Sequence, residues 1–492
     1  MHIVMVSSEA VPFSKTGGLG DVVPALCKTL SELGHAVTLI TPHYPQKWKP
    51  QDGPLQVTGK TVTVSLREKN VTGHLLRYRL AGSHVDVILI DQNDYFDRPE
   101  LYQENGIDYA DNAERFIFFS RAAKQAILEL GIVPDVLHVH DWQTALIPAL
   151  LKIEAATVPS LQNTATVFTI HNLAFQGNFF YTDMELTGLD WKYFNWEQME
   201  FFGHLNLLKS GIVFADRITT VSPTYAKEIQ TERFGSGMEL VLQRHRGKLS
   251  GILNGIDETE WNPATDRFLK INYDCETVSD GKPICKNEIQ KSMGLPEEPR
   301  IPLLGIVSRL TDQKGISLLV EIATELFQRN LQLVVLGTGE KSLESQLESL
   351  QKKYPQKLAV QIGFDNALAH QIEAGADLFL MPSKYEPCGL NQLYSLKYGT
   401  IPLVHAVGGL ADSVVDATEE HLRIGTANGF RFEKFSAGEL VKTLDRATNL
   451  YRDPEVWAIL MRSGMRHDWS WKRSSLHYLE VYENAKIALN LR

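Results

Sequence analysis

Basic charge is in short supply. The 49 lysines and arginines stand against 59 aspartates and glutamates, for a formal net charge of −10. A general nucleic-acid binder needs a basic face, so this balance argues against that class while leaving room for a local phosphate pocket. Cysteine is scarcer still. Cys27, Cys275, Cys285 and Cys388 are scattered and form no Cys-x-x-Cys pair. That argues against a disulfide scaffold or a zinc site and fits a reducing cytosol. No apolar run approaches the roughly 18 residues of a membrane span. The opening Met1-His2-Ile3-Val4-Met5-Val6 is apolar but short, lacks a basic leader and ends at Ser7-Ser8-Glu9. It reads as a buried strand, not a signal peptide, so a cytoplasmic protein is expected. No Asp-x-Asp pair occurs either, so a diphosphate-bridging Mg²⁺ would have no obvious ligands.

What is present is ordinary globular material: 492 residues, 43% hydrophobic and 22% charged. At roughly 150 residues per domain the length suggests three domains, but α/β domains run larger, so two also fit. Short apolar runs bounded by turn residues predict strands at 3–6, 37–41, 85–91, 135–140, 166–171 and 217–221. Helices are predicted at 21–33 and 112–130, and the alternating stretch 57–80 predicts an antiparallel excursion. The pattern then restarts. Strands are expected at 301–307, 331–336, 358–362 and 377–381, and helices at 316–328, 341–353, 390–397 and 437–451. A polar insertion is expected at 273–299 and an amphipathic helix at 471–489. Strands alternating with helices imply parallel sheets with crossover helices, here two doubly wound α/β domains. Ligands of such sheets bind beyond the carboxyl ends of the strands, and the cleft between two facing domains is the expected pocket.

The polar motifs fall where that rule wants them. Lys15-Thr16-Gly17-Gly18-Leu19-Gly20-Asp21 follows the first strand and opens the first helix. Glycines there let backbone approach a phosphate, and a helix N-terminus supplies unpaired N–H groups. The loop is neither a Walker A motif nor G-x-G-x-x-G, and alone it is equally a plain βα turn. Arg309 and Lys314 place two cations in the loop after the strand at 301–307. Fixed cations there favour a leaving diphosphate that gains charge, whereas two isolated charges are otherwise a solvated loop. Glu386, in Glu386-Pro387-Cys388-Gly389-Leu390, is placed to accept sugar hydroxyls or, more blandly, to cap a helix. His138-Val139-His140-Asp141-Trp142, Thr169-Ile170-His171-Asn172 and Asn254-Gly255-Ile256-Asp257 end first-domain strands. His138 and His140 read as satisfied core residues rather than metal ligands; His171, at a strand end, reads as a site residue.

Taken in order, these motifs resemble those of the bacterial glycogen synthases and plant starch synthases, over almost the whole chain. The resemblance implies a GT-B fold: two Rossmann-like domains facing across a deep cleft (1–256 and 257–470), with a C-terminal helix at 471–492 crossing back to the first. It implies transfer of glucose from ADP-glucose to the non-reducing end of an α-1,4-glucan, with retained configuration, no metal and no cofactor. It assigns Lys15, with Gly17 and Gly18, to the donor site, and Arg309 and Lys314 to the diphosphate. Asp141, His171, Asn254, Glu386, Cys388, Gly389 and Leu390 then surround the glucose. Two positions depart from the wider pattern. Tyr394 stands where many retaining enzymes of this fold carry a second glutamate, so it is given no catalytic part. Phe364, after Gly363, stands where a tyrosine often stacks on adenine, and a phenyl ring can still stack.

The mechanism implied is front-face displacement, in which the departing phosphate oxygen takes the acceptor's proton. Donor contacts from both halves imply domain closure. The expected partners are ADP-glucose and glucan, with neither nucleic acid nor membrane. The alternatives are a UDP-glucose-dependent transferase of the same fold and a non-catalytic glucan-binding homologue. A phosphorylase is disfavoured by the lack of a pyridoxal-lysine context.

Overall fold

The computed structural model describes residues 1–49, 54–104 and 106–491. The chain divides into two compact units, Met1–Asn254 joined by the segment from Trp471 onward, and Gly255–Ser470.

The first unit is built on a nine-stranded sheet. Its order is Leu249–Gly251, Arg217–Thr220, Ala165–Ile170, Val136–His140, His2–Val6, Ala36–Pro42, Asp86–Asp91, Lys69–Arg79 and Gln56–Leu66. The first seven strands run parallel. They read as continuous apolar runs because both faces are covered. The last two form the antiparallel excursion expected from the alternation at 57–80. Helix Gly18–Glu32 begins earlier than the pattern suggests, so Gly18 and Gly20 lie in its first turn. It shares a core with the C-terminal helix Trp471–Asn490. That helix buries Trp471, Ser474, Ser475, Tyr478, Val481, Tyr482 and Ala485, the one-face spacing of an amphipathic helix. A small sheet of Asn178–Phe179, His204–Asn206 and Glu200–Phe201 has no counterpart in the sequence pattern.

The second unit carries a six-stranded parallel sheet in the order Leu358–Ile362, Gln332–Gly337, Leu303–Val307, Leu378–Met381, Ile401–His405 and Phe430–Phe432. The last two strands are not evident in the sequence. Pro402 sits inside one, a residue that ordinarily argues against a central strand, and the other has three residues. The expected polar insertion at 273–299 contains instead the helix Val278–Ser292. Pro283 and a polar composition disguise it, but Val278, Cys285 and Ile289 make one buried face. Gly375 lets helix Asn366–Gly375 pack closely there, since a Cβ would lie 2.7 Å from Ile289 and 2.9 Å from the Cys285 carbonyl. Helix Pro454–Arg466 is a further addition, although Asp453 caps it and Pro454 opens it, a readable start signal. Among the described residues no helix is long and apolar enough to cross a membrane.

In both sheets the strand order reverses beside the first strand of the unit. The reversal lies between His2–Val6 and Val136–His140 in one, and between Leu303–Val307 and Leu378–Met381 in the other. The carboxyl ends of those four strands are where parallel sheets bind ligands.

Candidate functional site

The first unit's reversal point is lined by the loops that leave His2–Val6 and Val136–His140. Beyond the first of these strands the chain folds so that Glu9, itself buried, lies over the glycine loop. Its carboxylate accepts the Thr16 N–H at 2.6 Å, the Thr16 hydroxyl at 2.7 Å, the Gly17 N–H at 3.3 Å and the Tyr102 hydroxyl at 2.7 Å. Two of the loop's amides thus serve an internal anion. Lys15 pairs with Asp21 at 2.7 Å and remains half exposed. A Cβ at Gly17 would meet nothing within 4 Å, so that position faces open space, whereas one at Gly20 would lie 3.1 Å from the Ser14 carbonyl.

Asp141 ends the second of these strands with φ +55°, the left-handed region that non-glycine residues rarely occupy. Such an outlier is held by its surroundings and is common at functional sites. Here the Asp141 N–H donates to the Thr169 carbonyl at 2.9 Å, and its carboxylate accepts the His171 N–H at 2.7 Å. Burial raises the Asp141 carboxyl to about 7, against the pull of the His171 and Asn172 N–H groups and with a further push from Glu9. Asp141 and His171 are therefore brought together directly.

Behind them lies a row of imidazoles. His138 and His140, two apart on one strand, share a face and stand 4.1 Å apart between ring centres. His140 Nδ1 is 3.0 Å from His171 Nε2. His138 is fastened by the Tyr482 hydroxyl at 2.9 Å and the Thr169 hydroxyl at 2.6 Å. Burial lowers His138 and His171 to about 3 and holds His140 well below the usual range. All three are neutral at pH 7, and His138 and His140 are buried as the sequence suggested. Asn254 closes the unit, buried, with its side-chain oxygen lacking a partner among the described residues.

In the second unit the two loops at the reversal point are tied to each other. The loop after Leu303–Val307 carries Arg309 and turns through Asp312–Lys314 to Gly315. Gly315 has φ +74°, and a Cβ there would lie 1.9 Å from the Pro382 carbonyl in the neighbouring loop. Only glycine allows that approach. Lys314 Nζ then reaches Glu386 at 2.5 Å, and the Ser383 hydroxyl donates to the same Glu386 oxygen at 3.0 Å. The Lys384 N–H donates to the Gln313 carbonyl at 2.9 Å, and the Lys384 ammonium pairs with Asp312. Arg309 is exposed, its guanidinium donating to Gln313 at 3.3 Å.

Cys388 is buried behind Glu386, Gly389 has φ +73°, and Leu390 caps helix Asn391–Tyr398. Tyr394 stacks on Trp261 at 3.9 Å, with its ring buried. Gly363 (φ +133°) and Phe364 follow the edge strand Leu358–Ile362, two strands from Leu303–Val307. The Phe364 ring is 82% exposed, a bare face for stacking.

Five further residues escape a reading of the sequence. Glu9 looks there like a strand terminator. Gly337 and Gly339 let one loop close on Arg309's, because Cβ atoms there would lie 1.9 Å from the Ser308 carbonyl and 2.3 Å from that of Leu310. Gly408 and Gly409 do the same under the Glu386 loop, at 1.9 Å from the Glu386 carbonyl and 2.1 Å from that of Cys388. Paired glycines after an apolar run were the available signal.

Residues 2–244 match the family described as starch synthase catalytic domain, and residues 286–459 match glycosyl transferases group 1. Glycogen synthase from Rhodopirellula baltica is 44% identical, covering 100% of this chain and 99% of that protein. Glycogen synthase 1 from Methylococcus capsulatus is 45% identical, covering 100% and 98%. Among solved structures, the catalytic domain of starch synthase IV from Arabidopsis thaliana, bound to ADP and acarbose, is 33% identical with a TM-score of 0.91, covering 99% of each chain. Sucrose-phosphate synthase from Thermosynechococcus elongatus shares the fold, with a TM-score of 0.60 at 17% identity over 99% of each chain.

Proposed function

Because this chain belongs to the family of bacterial glycogen synthases and starch synthases, glycosyltransferases of GT-B fold, we propose that it elongates an α-1,4-glucan with glucose from ADP-glucose. Glucose is added at the non-reducing end with retained configuration, and ADP leaves. The observation that carries this reading is the placement of the motif side chains in each unit. Lys15, Asp141, Arg309, Lys314 and Glu386 follow the carboxyl ends of the strands flanking the order reversal, and His171 follows the next strand along, the region from which such sheets hold a nucleotide or a sugar. The ADP bound to the starch synthase IV relative supports an adenine nucleotide donor.

The second unit (Gly255–Ser470) takes the donor. Phe364 stacks on the adenine beside Gly363, and Arg309 and Lys314 hold the diphosphate. Lys314 is paired with Glu386. An arriving diphosphate competes for that ammonium, and Glu386 is then free to accept glucose hydroxyls, with Cys388, Gly389 and Leu390 shaping its surroundings. The first unit (Met1–Asn254, with the helix Trp471–Asn490) takes the glucan. It contributes Lys15, with Gly17 and Gly18 of the same loop, to the developing charge, and Asp141, His171 and Asn254 to the glucosyl group.

The acceptor 4-OH attacks C1 from the face that the diphosphate leaves. The C1–O bond to phosphate breaks as the new glycosidic bond forms, and the departing phosphate oxygen takes the hydroxyl proton. Fixed cations where charge develops are worth most in such a step, and neither metal nor cofactor is needed. The proposed setting is cytoplasmic, with the donor and the glucan as partners. The test compares nucleoside diphosphate release from ADP-glucose and UDP-glucose with glycogen as acceptor. Faster, glycogen-dependent release from ADP-glucose is expected. Preference for UDP-glucose overturns the donor assignment, and no release from either overturns the reaction.

A further inference from the structure

A neutral imidazole can present either a donor or an acceptor to a substrate, so the position of His171 alone leaves its chemistry open. Its neighbours close the choice. His140 Nε2 lies 3.5 Å from Met5 Sδ, and His140 Nδ1 lies 3.0 Å from His171 Nε2. A thioether accepts and never donates. Burial keeps His138, His140 and His171 neutral, so each ring carries one N–H.

Suppose the His140 proton sat on Nδ1. Its Nε2 lone pair would then face sulfur lone pairs with no hydrogen between them, a buried acceptor left unsatisfied. With the proton on Nε2, the N–H points at sulfur and Nδ1 is free to accept. His171 must then supply the shared proton from its own Nε2. Its Nδ1 is left as a lone pair on a partly exposed ring, with no partner among the described residues. The stacked His138 does not compete, because both its nitrogens are engaged by Tyr482 and Thr169.

We propose that Met5 and His140 are positioning residues that hold His171 as a hydrogen-bond acceptor at Nδ1, ready for a hydroxyl of the glucosyl group or of the glucan. This rests on the glucosyl-transfer reading above for its use, but not for its geometry. Sulfur, in the first strand, thereby sets the polarity of a side chain two strands away in the sheet, since His2–Val6, Val136–His140 and Ala165–Ile170 are consecutive neighbours.

The test is ¹⁵N spectroscopy of the full-length protein with labelled histidine, with His171 assigned through His171→Gln. Protonated and unprotonated ring nitrogens resonate separately. The expected result is His171 with Nε2 protonated and Nδ1 bare, and His140 in the same tautomer. A protonated His171 Nδ1 overturns the inference. Met5→Leu conserves volume and removes the sulfur; a second His171 tautomer is expected, and an unchanged single tautomer removes Met5 from the arrangement. In turnover, His140→Leu is expected to lower kcat about tenfold, the scale of one hydrogen bond, with the donor KM little changed. His140→Asn, whose carbonyl can still accept from His171, is expected to restore most of it. Equal losses in both variants, following their melting temperatures, would reduce His140 to packing. The spectroscopy needs no turnover. A chain that transfers no glucose therefore sinks the proposed function alone, whereas an active enzyme with His171 Nδ1 protonated sinks this inference alone.

Discussion

For single residues, the proposed chemistry rests on how each side chain is held. Lys314 is held at 2.5 Å by Glu386, both side chains mostly buried, so the ammonium has a fixed position. Lys314→Ala is expected to lower kcat about 10²-fold, the usual cost of one contact to developing charge. An unchanged kcat removes Lys314 from that role. Asp141 offers a second check. Burial raises it to about 7 from an ordinary 3.8, so the carboxylate that accepts the His171 N–H forms only as pH rises through about 7. The kcat/KM profile of the free enzyme is expected to climb there, and Asp141→Asn should lack that limb. Stability moves the other way. The folded state holds a proton that the unfolded chain has lost, so this carboxyl's contribution is whole below about pH 4 and is lost as pH rises through about 7. Melting of Asp141→Asn should be flatter across that window. Asp141, His171, Lys314 and Glu386 were legible because their motifs end strands. Glu9 was not. A lone acid after a strand says nothing until the loop folds over it and offers the Thr16 and Gly17 amides.

Between the elements, glycine decides how closely loops approach. Gly315 combines φ +74° with a Cβ position 1.9 Å from a carbonyl, while Gly17 has an extended backbone and open space around it. Gly315→Ala is expected to destabilise by about 3 kcal/mol, since strain and overlap each cost about 1–3. Gly17→Ala should leave the melting temperature nearly unchanged yet lower kcat/KM if ligand approaches that backbone. Equal stability of the two variants would contradict this role for glycine in the loops. Strands and helices with one clean period were legible, such as Lys341–Lys353 and Leu358–Ile362. Two of those hidden from the pattern had a misleading proline: Pro402 in a strand, Pro283 in a helix. Tertiary burial of one face outweighed that local signal. Which carbonyl each glycine must clear is a long-range fact, invisible to local pattern.

At the scale of the molecule, two doubly wound sheets place two sets of polar loops by the same topological rule. That architecture was legible because buried parallel strands are uninterrupted apolar runs, and the helices between them repeat at their own period. Identity of 44–45% to glycogen synthases extends across both units. Donor choice was legible only through family resemblance. Gly363 and Phe364 are the only base-contact candidates the sequence offered, and a bare phenyl ring stacks on any base. The transfer itself is therefore the decisive point. The direct measurement is incorporation of labelled glucose from ADP-glucose into glycogen, with linkage analysis of the product. It should show label at non-reducing ends in α-1,4 linkage, with one ADP released per glucose added. Absence of label in the glucan while ADP-glucose remains intact, or label in any other linkage, would contradict it.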